Sequence, residues 1–124
     1  MNFKKAEKAL LDEIKYRITG PKRRVIAVDI DGTLAEYKGW KGYRHVGKPI
    51  KSVVEAVRKE YADNSEIIIH TCRITAMDGQ IIPEALAALT AWLKKNDIPY
   101  DEIWTGVGKP YASSYWDDKA VRMP

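Results

Sequence analysis

Residues 25–37 read VIAVDIDGTLAEY, and the fold turns on how this stretch is placed. Val25 to Val28, with Ile30 after them, make a short apolar run bounded by a turn signal, the pattern of a strand covered on both faces. Yet Asp29 and Asp31 stand where the core should continue. Strand residues alternate sides, so the two carboxylates face one way and Ile30 the other. Two like charges at a partly desolvated strand end repel, and a buried charge left unpaired is costly. Either something positive stands beside them or one keeps a proton. The plain alternative is that the strand ends at Val28 and both aspartates are solvated turn formers, Asp-Gly being a common turn pair.

The flanking sequence bears on that choice. Residues 66–71 (EIIIHT) read as a second buried strand, and short strands are predicted near residues 101–105 and 113–116. Ser52 to Glu55 fits a capping box, with Val54, Val57 and Tyr61 continuing a helical stripe to about Ala62. Pro83 opens another helix at a favoured first position, with Ala85, Leu86, Leu89, Trp92 and Leu93 inward and Asn96 as its stop. Phe3, Leu10, Ile14 and Ile18 predict an amphipathic helix over 3–18, ended by Thr19-Gly20-Pro21. Residues 34–50 have three glycines and no period, and read as a loop with room for a small hairpin. Strands alternating with helices define an α/β domain with a mostly parallel central sheet.

In such sheets ligands sit beyond the carboxyl ends of the strands. Asp29, Asp31, Thr71, Asp117 and Asp118 all fall at such ends, and Lys109 precedes the last strand. Four carboxylates, a hydroxyl and an ammonium therefore converge on one rim, which the turn-former alternative does not predict. The connection from Lys109 to Ser113 is short for a parallel crossover, which usually takes a dozen residues or more. The pairing of the last strand is left open by that shortness.

The chain has 124 residues, enough for one domain and one core. No apolar run approaches a membrane span, the first residues form a charged segment without a signal-peptide core, and Cys72 is alone. A cytoplasmic protein without membrane association is expected. The net charge of +4 is uneven: residues 1–24 hold eight Lys/Arg and three Asp/Glu, while the remainder holds thirteen and fourteen. The chain thus divides into a basic N-terminal helix and linker, 1–24, and a domain, 25–124. A basic segment of this kind is usually a solvated helix face, and nucleic-acid binding is the less common alternative.

Clustered hard oxygen ligands without a Cys or His set suit Mg²⁺, which takes a few carboxylates, waters and substrate phosphate. Phosphoryl transfer fits these parts. Asp29 would attack phosphorus, Asp31 would protonate the leaving oxygen and later activate water, and Lys109 would hold Asp29 and the phosphate together. Thr71 and the turn amides after Asp29, at Gly32 and Thr33, would donate to phosphoryl oxygens.

Asp29-Ile30-Asp31-Gly32-Thr33 resembles the DxDGT signature of the haloacid dehalogenase superfamily. Thr71 after Ile67–Ile69 is similar to that family's second motif, Lys109 in Gly108-Lys109-Pro110 to its third, and Trp116-Asp117-Asp118-Lys119-Ala120 to its fourth. The likeness covers about residues 25 to 122. It is closest to small bacterial and phage phosphatases labelled capsule or polysaccharide biosynthesis phosphatases, which share a Gly-Lys-Pro-Ile-like segment and a Thr-x-Arg such as Thr71-Cys72-Arg73. The resemblance implies a three-layer Rossmann-like fold without a cap domain, Asp29 as nucleophile and Asp31 as acid/base. It further implies Mg²⁺ held by the Asp29 carboxylate, the Asp31 backbone carbonyl and Asp118, with Asp117 as its indirect partner. A second Asp two residues after the first favours phosphatases over dehalogenases. The N-terminal helix lies outside the resemblance.

Of the remaining residues, Tyr37, Trp40, Tyr43, Arg44 and His45 stand near the nucleophile and either select substrate or anchor a glycine-rich loop. Arg73 either binds substrate phosphate or braces the loop after Thr71. His70 and Cys72 read as packing residues, and Trp92, Trp104 and Trp116 as core. The expected activity is Mg²⁺-dependent hydrolysis of a small phosphorylated metabolite such as a sugar phosphate or nucleotide. A nucleic-acid 3′-end phosphatase steered by the basic segment is the alternative within that class. A non-catalytic binding module on the same fold has no reason to retain an acid/base. A phospho-acceptor signalling domain does not fit two acidic residues on the first strand.

Overall fold

The computed structural model describes residues 21–106 and 108–117. The helix over 3–18 and Asp118 lie outside the described residues. The elements run β1 (Val25–Val28), α1 (Lys51–Ala62), β2 (Glu66–Ile69), α2 (Pro83–Lys95), β3 (Glu102–Ile103) and β4 (Ser114–Trp116). The strands form one sheet in the order β3-β2-β1-β4, every pair parallel. The open question of the last strand is thus resolved: β4 pairs with β1, on the side away from β2. Ten residues carry the chain from β3 to β4, with no helix among the described ones. That suffices because the strands are so short, each residue of extended chain reaching about 3.3 Å.

Register and alternation decide what each sheet face carries. Ile26 and Val28 of β1 align with Ile67 and Ile69 of β2, and Val28 with Trp116 of β4. These side chains share one face, and they form a single core with Val54 and Val57 of α1 and Ala85, Leu89 and Leu93 of α2. Ala27 and Ile68 point the opposite way and stay outside that cluster, though both are buried. Among the described residues, therefore, both helices cover one face. Helices and sheet together make two of the three layers expected.

The α1 helix starts differently from expectation. Ile50, not a Ser or Thr, occupies its N-cap, and no side chain caps it. The reason is tertiary: the Ile50 amide donates to the Leu34 carbonyl at 2.7 Å, fixing the entry of the chain two residues too early for a box beginning at Ser52. The α2 helix begins at Pro83 and is capped by Asn96, as the sequence predicts. Arg58 of α1 ties the two helices together by donating to the carbonyls of Asn96 and Asp97 at 2.8 and 3.2 Å.

The possible hairpin in residues 34–50 is present. Ala35 bridges antiparallel to Pro49, and the Glu36 amide donates to the Lys48 carbonyl at 2.8 Å. At Gly47 the two arms come so close that a Cβ would lie 2.0 Å from the Glu36 carbonyl oxygen. Trp92 of α2 donates its indole N–H to the Gly47 carbonyl at 3.0 Å, locking the hairpin base to the helix layer. Trp92 is therefore only partly core: its ring packs on the cluster while its nitrogen holds the loop.

The basic run Lys22-Arg23-Arg24 is tied to the domain. Arg23 and Arg24 both pair with Glu60 of α1, Ser65 donates to Glu60 Oε1 at 2.8 Å, and Lys22 Nζ lies 3.6 Å from Asp101 Oδ1. These partners, with the Arg24 guanidinium first, push the Glu60 carboxyl down to about 2. A carboxyl whose folded value is depressed stabilises fully above its unfolded value near 4.5, and that contribution is lost as pH falls through about 2. Glu60→Gln should then cost about 1–3 kcal/mol at neutral pH and flatten the acid limb of the stability curve below pH 4.5. Urea unfolding of both proteins at stepped pH checks this; parallel curves would refute it.

Candidate active site

The strand register itself assembles the rim. Val28 of β1 aligns with Ile69 of β2 and Trp116 of β4, so the next residues are Asp29, His70 and Asp117 respectively. The Asp29 amide still donates to the Trp116 carbonyl, at 2.9 Å, and the His70 amide to the Val28 carbonyl, also at 2.9 Å. Neighbouring strands lie about 4.8 Å apart, so these three residues form a row just beyond the sheet. A cavity of about 650 Å³ opens over them, lined also by Thr71, Cys72, Lys109 and Tyr115. Four of the predicted site residues, Asp29, Thr71, Lys109 and Asp117, are thus brought together; Asp118 lies outside the described residues.

The local geometry suits this arrangement. The Ile30 amide donates to Asp29 Oδ1 at 2.7 Å, which fixes the rotation of that carboxylate. The Thr71 hydroxyl accepts from the Arg73 amide at 3.3 Å, leaving its own proton to donate into the cavity. Lys109 lies with Nζ 5.2 Å from the centre of the Tyr115 ring. The imidazole of His70 is pushed below its usual value by burial and by Lys109, against the pull of Asp117. His70 thus lines the candidate site, beyond the packing role read from the sequence. The signal was its place directly after the three isoleucines that end β2.

Asp31 does not share this cavity. Although an extended strand would face it the same way as Asp29, β1 ends at Val28, and the chain turns with Gly32 in the left-handed region at φ 83°. The turn consumes its own amides: Gly32 donates to the Ala35 carbonyl at 2.8 Å and Thr33 to the Ile30 carbonyl at 3.1 Å. Gly32 and Thr33, expected to donate to phosphate through these amides, are engaged inside the turn instead.

The Asp31 carboxylate opens into a second hollow, of about 370 Å³, beneath the 36–49 hairpin. There Arg73 donates to Asp31 Oδ1 at 2.8 Å and to the His45 carbonyl at 2.5 Å, with Gly42's carbonyl at 3.4 Å. The guanidinium also lies 5.3 Å from the centre of the Trp40 ring, which Tyr43 meets edge-on. Its side chain is 2% exposed. Of the two roles weighed for Arg73 the geometry shows bracing, directed at the hairpin and Asp31, while its Nε is buried without a partner. Burial raises the Asp31 carboxyl above its ordinary value, against the lowering pull of Arg73 and then His45. Arg44 is an exposed residue pairing with Glu84 at 3.8 Å. Neither Arg44 nor Tyr43 lines either hollow, whereas Tyr37, Trp40 and His45 line that of Asp31.

Among the described residues, no three His, Cys, Asp or Glu side chains gather as a metal cluster, and no helix is long and apolar enough to cross a membrane. Mg²⁺ needs no such cluster, since two carboxylates with a carbonyl, waters and substrate oxygens satisfy it. Asp29 and Asp117, one strand spacing apart over an open cavity, fit that requirement.

No family model and no curated protein matches the chain. Two solved structures do. A conserved protein from Bacteroides thetaiotaomicron superposes with a TM-score of 0.59 at 22% identity, over 79% of this chain and 78% of that one. A structure-determination target from Vibrio cholerae gives a TM-score of 0.53 at 32% identity, over 71% of this chain and 77% of that one. The first shares the α/β fold. The second is a relative, and the present chain belongs to its family.

Proposed function

We propose that this chain is a Mg²⁺-dependent phosphomonoesterase of the haloacid dehalogenase type, hydrolysing a small phosphorylated metabolite through an aspartyl-phosphate. One observation carries the reading: Asp29 and Asp117 stand on adjacent strand ends in a cavity shared with Thr71 and Lys109, while Asp31 lies around the turn in a separate hollow, where burial raises its carboxyl. Two carboxylates separated in this way take different roles. An Asp29 carboxylate oxygen attacks phosphorus, and the bond from phosphorus to the leaving oxygen breaks. Asp31, whose burial favours its protonated form, gives its proton to that oxygen. Water then attacks the phosphoryl group, its proton passes to Asp31, and the bond from phosphorus to Asp29 breaks, releasing phosphate. Lys109 and the Thr71 hydroxyl hold the phosphoryl oxygens.

Mg²⁺ would be held by the Asp29 carboxylate, the Asp31 backbone carbonyl and Asp117, with Asp118 next in sequence. When bound it supplies positive charge against the phosphoryl oxygens. The test is phosphate release from an aryl phosphate in metal-free buffer, in Mg²⁺ and after chelation. Turnover in Mg²⁺ that chelation abolishes and added Mg²⁺ restores is the expected result. Absence of turnover from folded protein on aryl, sugar and nucleotide phosphates would overturn the reading.

A further inference from the structure

Asp29 and Asp31 open into different hollows, and that division has a consequence for substrate. In the reaction proposed above, on which this inference rests, the phosphoryl group lies with Asp29 and the leaving oxygen must reach Asp31. The leaving group therefore occupies the hollow beneath the hairpin. This hollow, of about 370 Å³, falls within the ~300–1,000 Å³ range of small-molecule sites.

Its lining is specific in charge. Lys38, Lys41 and Lys48 from the hairpin and Lys95 from the end of α2 surround it, against Glu36 and Asp31. Among the described residues none of the four lysines has an ion-pair partner. Asp31 is already matched by Arg73, so the wall carries a surplus of positive charge. A neutral sugar alcohol gives those ammonium groups nothing to bind, whereas a leaving group with its own phosphate does. Of the aromatic rings in the wall, Tyr37 and Trp40 are each 51% exposed. Exposed aromatic faces beside a basic wall are what a nucleobase and its phosphate use together.

We infer that the substrate is a phosphomonoester of a nucleotide, a molecule whose leaving group carries a second phosphate and a base. The phosphate of the leaving group meets the lysines, and the base stacks on Tyr37 or Trp40. A free nucleoside bisphosphate and the phosphorylated end of an oligonucleotide share this chemistry.

The experiment compares kcat/KM in Mg²⁺ for p-nitrophenyl phosphate, a hexose 6-phosphate, a nucleoside 3′,5′-bisphosphate and a 3′-phosphorylated tetranucleotide. The wild type and Lys41→Glu/Lys48→Glu are run side by side, with thermal melts to verify folding; both positions are exposed. The wild type should favour at least one of the two nucleotide substrates over the hexose phosphate by at least about tenfold. The double variant should lose that preference mainly through KM, and rising salt should erode it. Whichever of the two the wild type favours identifies the source. Turnover of the aryl phosphate with no nucleotide preference, or a preference that survives charge reversal, overturns the inference and leaves the phosphatase reading standing. Failure on all four substrates overturns both.

Discussion

Asp29→Asn should lower kcat on an aryl phosphate by roughly 10³–10⁶-fold while leaving the protein folded. The amide keeps the volume of the carboxylate and can still accept from the Ile30 amide, which lies 2.7 Å from Oδ1, but it cannot form the phosphoryl-enzyme. Stability should not fall. Asp29 stands one strand spacing from Asp117 in the β1–β4 register, and removing one of two neighbouring like charges relieves repulsion. A residue placed for chemistry at a cost to the fold has this signature of activity lost and stability kept or gained. Phosphate release and urea unfolding, measured on one preparation, read both quantities. A variant keeping a tenth or more of wild-type turnover would remove Asp29 from the nucleophile's place. An unfolded variant would show the residue to be structural, and the cavity would need another explanation.

Much of this rim was legible in the sequence for a physical reason. Runs such as Val25–Val28 and Glu66–Ile69 are too apolar and too short to be anything but buried strands, and parallel strands place whatever follows them at one edge. Asp29 and Asp117 follow strands directly and Thr71 comes one residue later, so locating the strands located the residues. The start of α2 was equally plain, because proline at a first turn is a local rule. Where tertiary contacts decide, local rules fail. The Ile50 amide is bound by Leu34, a partner from another part of the chain, so the apparent capping box at Ser52 is unused. The expected common orientation of Asp29 and Asp31 assumed an unbroken strand, whereas β1 ends at Val28 and the chain is already turning before Asp31. The partners of Arg73 were not legible either, since backbone carbonyls at Gly42 and His45 have no sequence signature.

The largest structural effect should come from Arg73→Met, which keeps much of the side chain's length and removes its charge. The guanidinium is buried and serves four separate groups: the Asp31 carboxylate at 2.8 Å, the carbonyls of His45 and Gly42, and the face of Trp40. Breaking a buried ion pair by deleting one partner typically costs about 3–5 kcal/mol, because the remaining charge keeps its desolvation penalty without its compensation. The orphaned charge here is Asp31, and its carboxyl should move further up once the lowering pull of Arg73 is gone. A double-mutant cycle separates this cause from simple loss of packing. If the orphaned carboxylate is responsible, adding Asp31→Asn to Arg73→Met should recover part of the lost stability in urea unfolding, since a neutral amide is cheaper to leave buried. If packing is responsible, the second substitution should recover nothing. A loss below about 1 kcal/mol for Arg73→Met alone, the level of an exposed pair, would mean that Arg73 does not brace the hairpin. In that case the hollow beside Asp31 would have no fixed wall, and the acid/base no fixed position relative to Asp29.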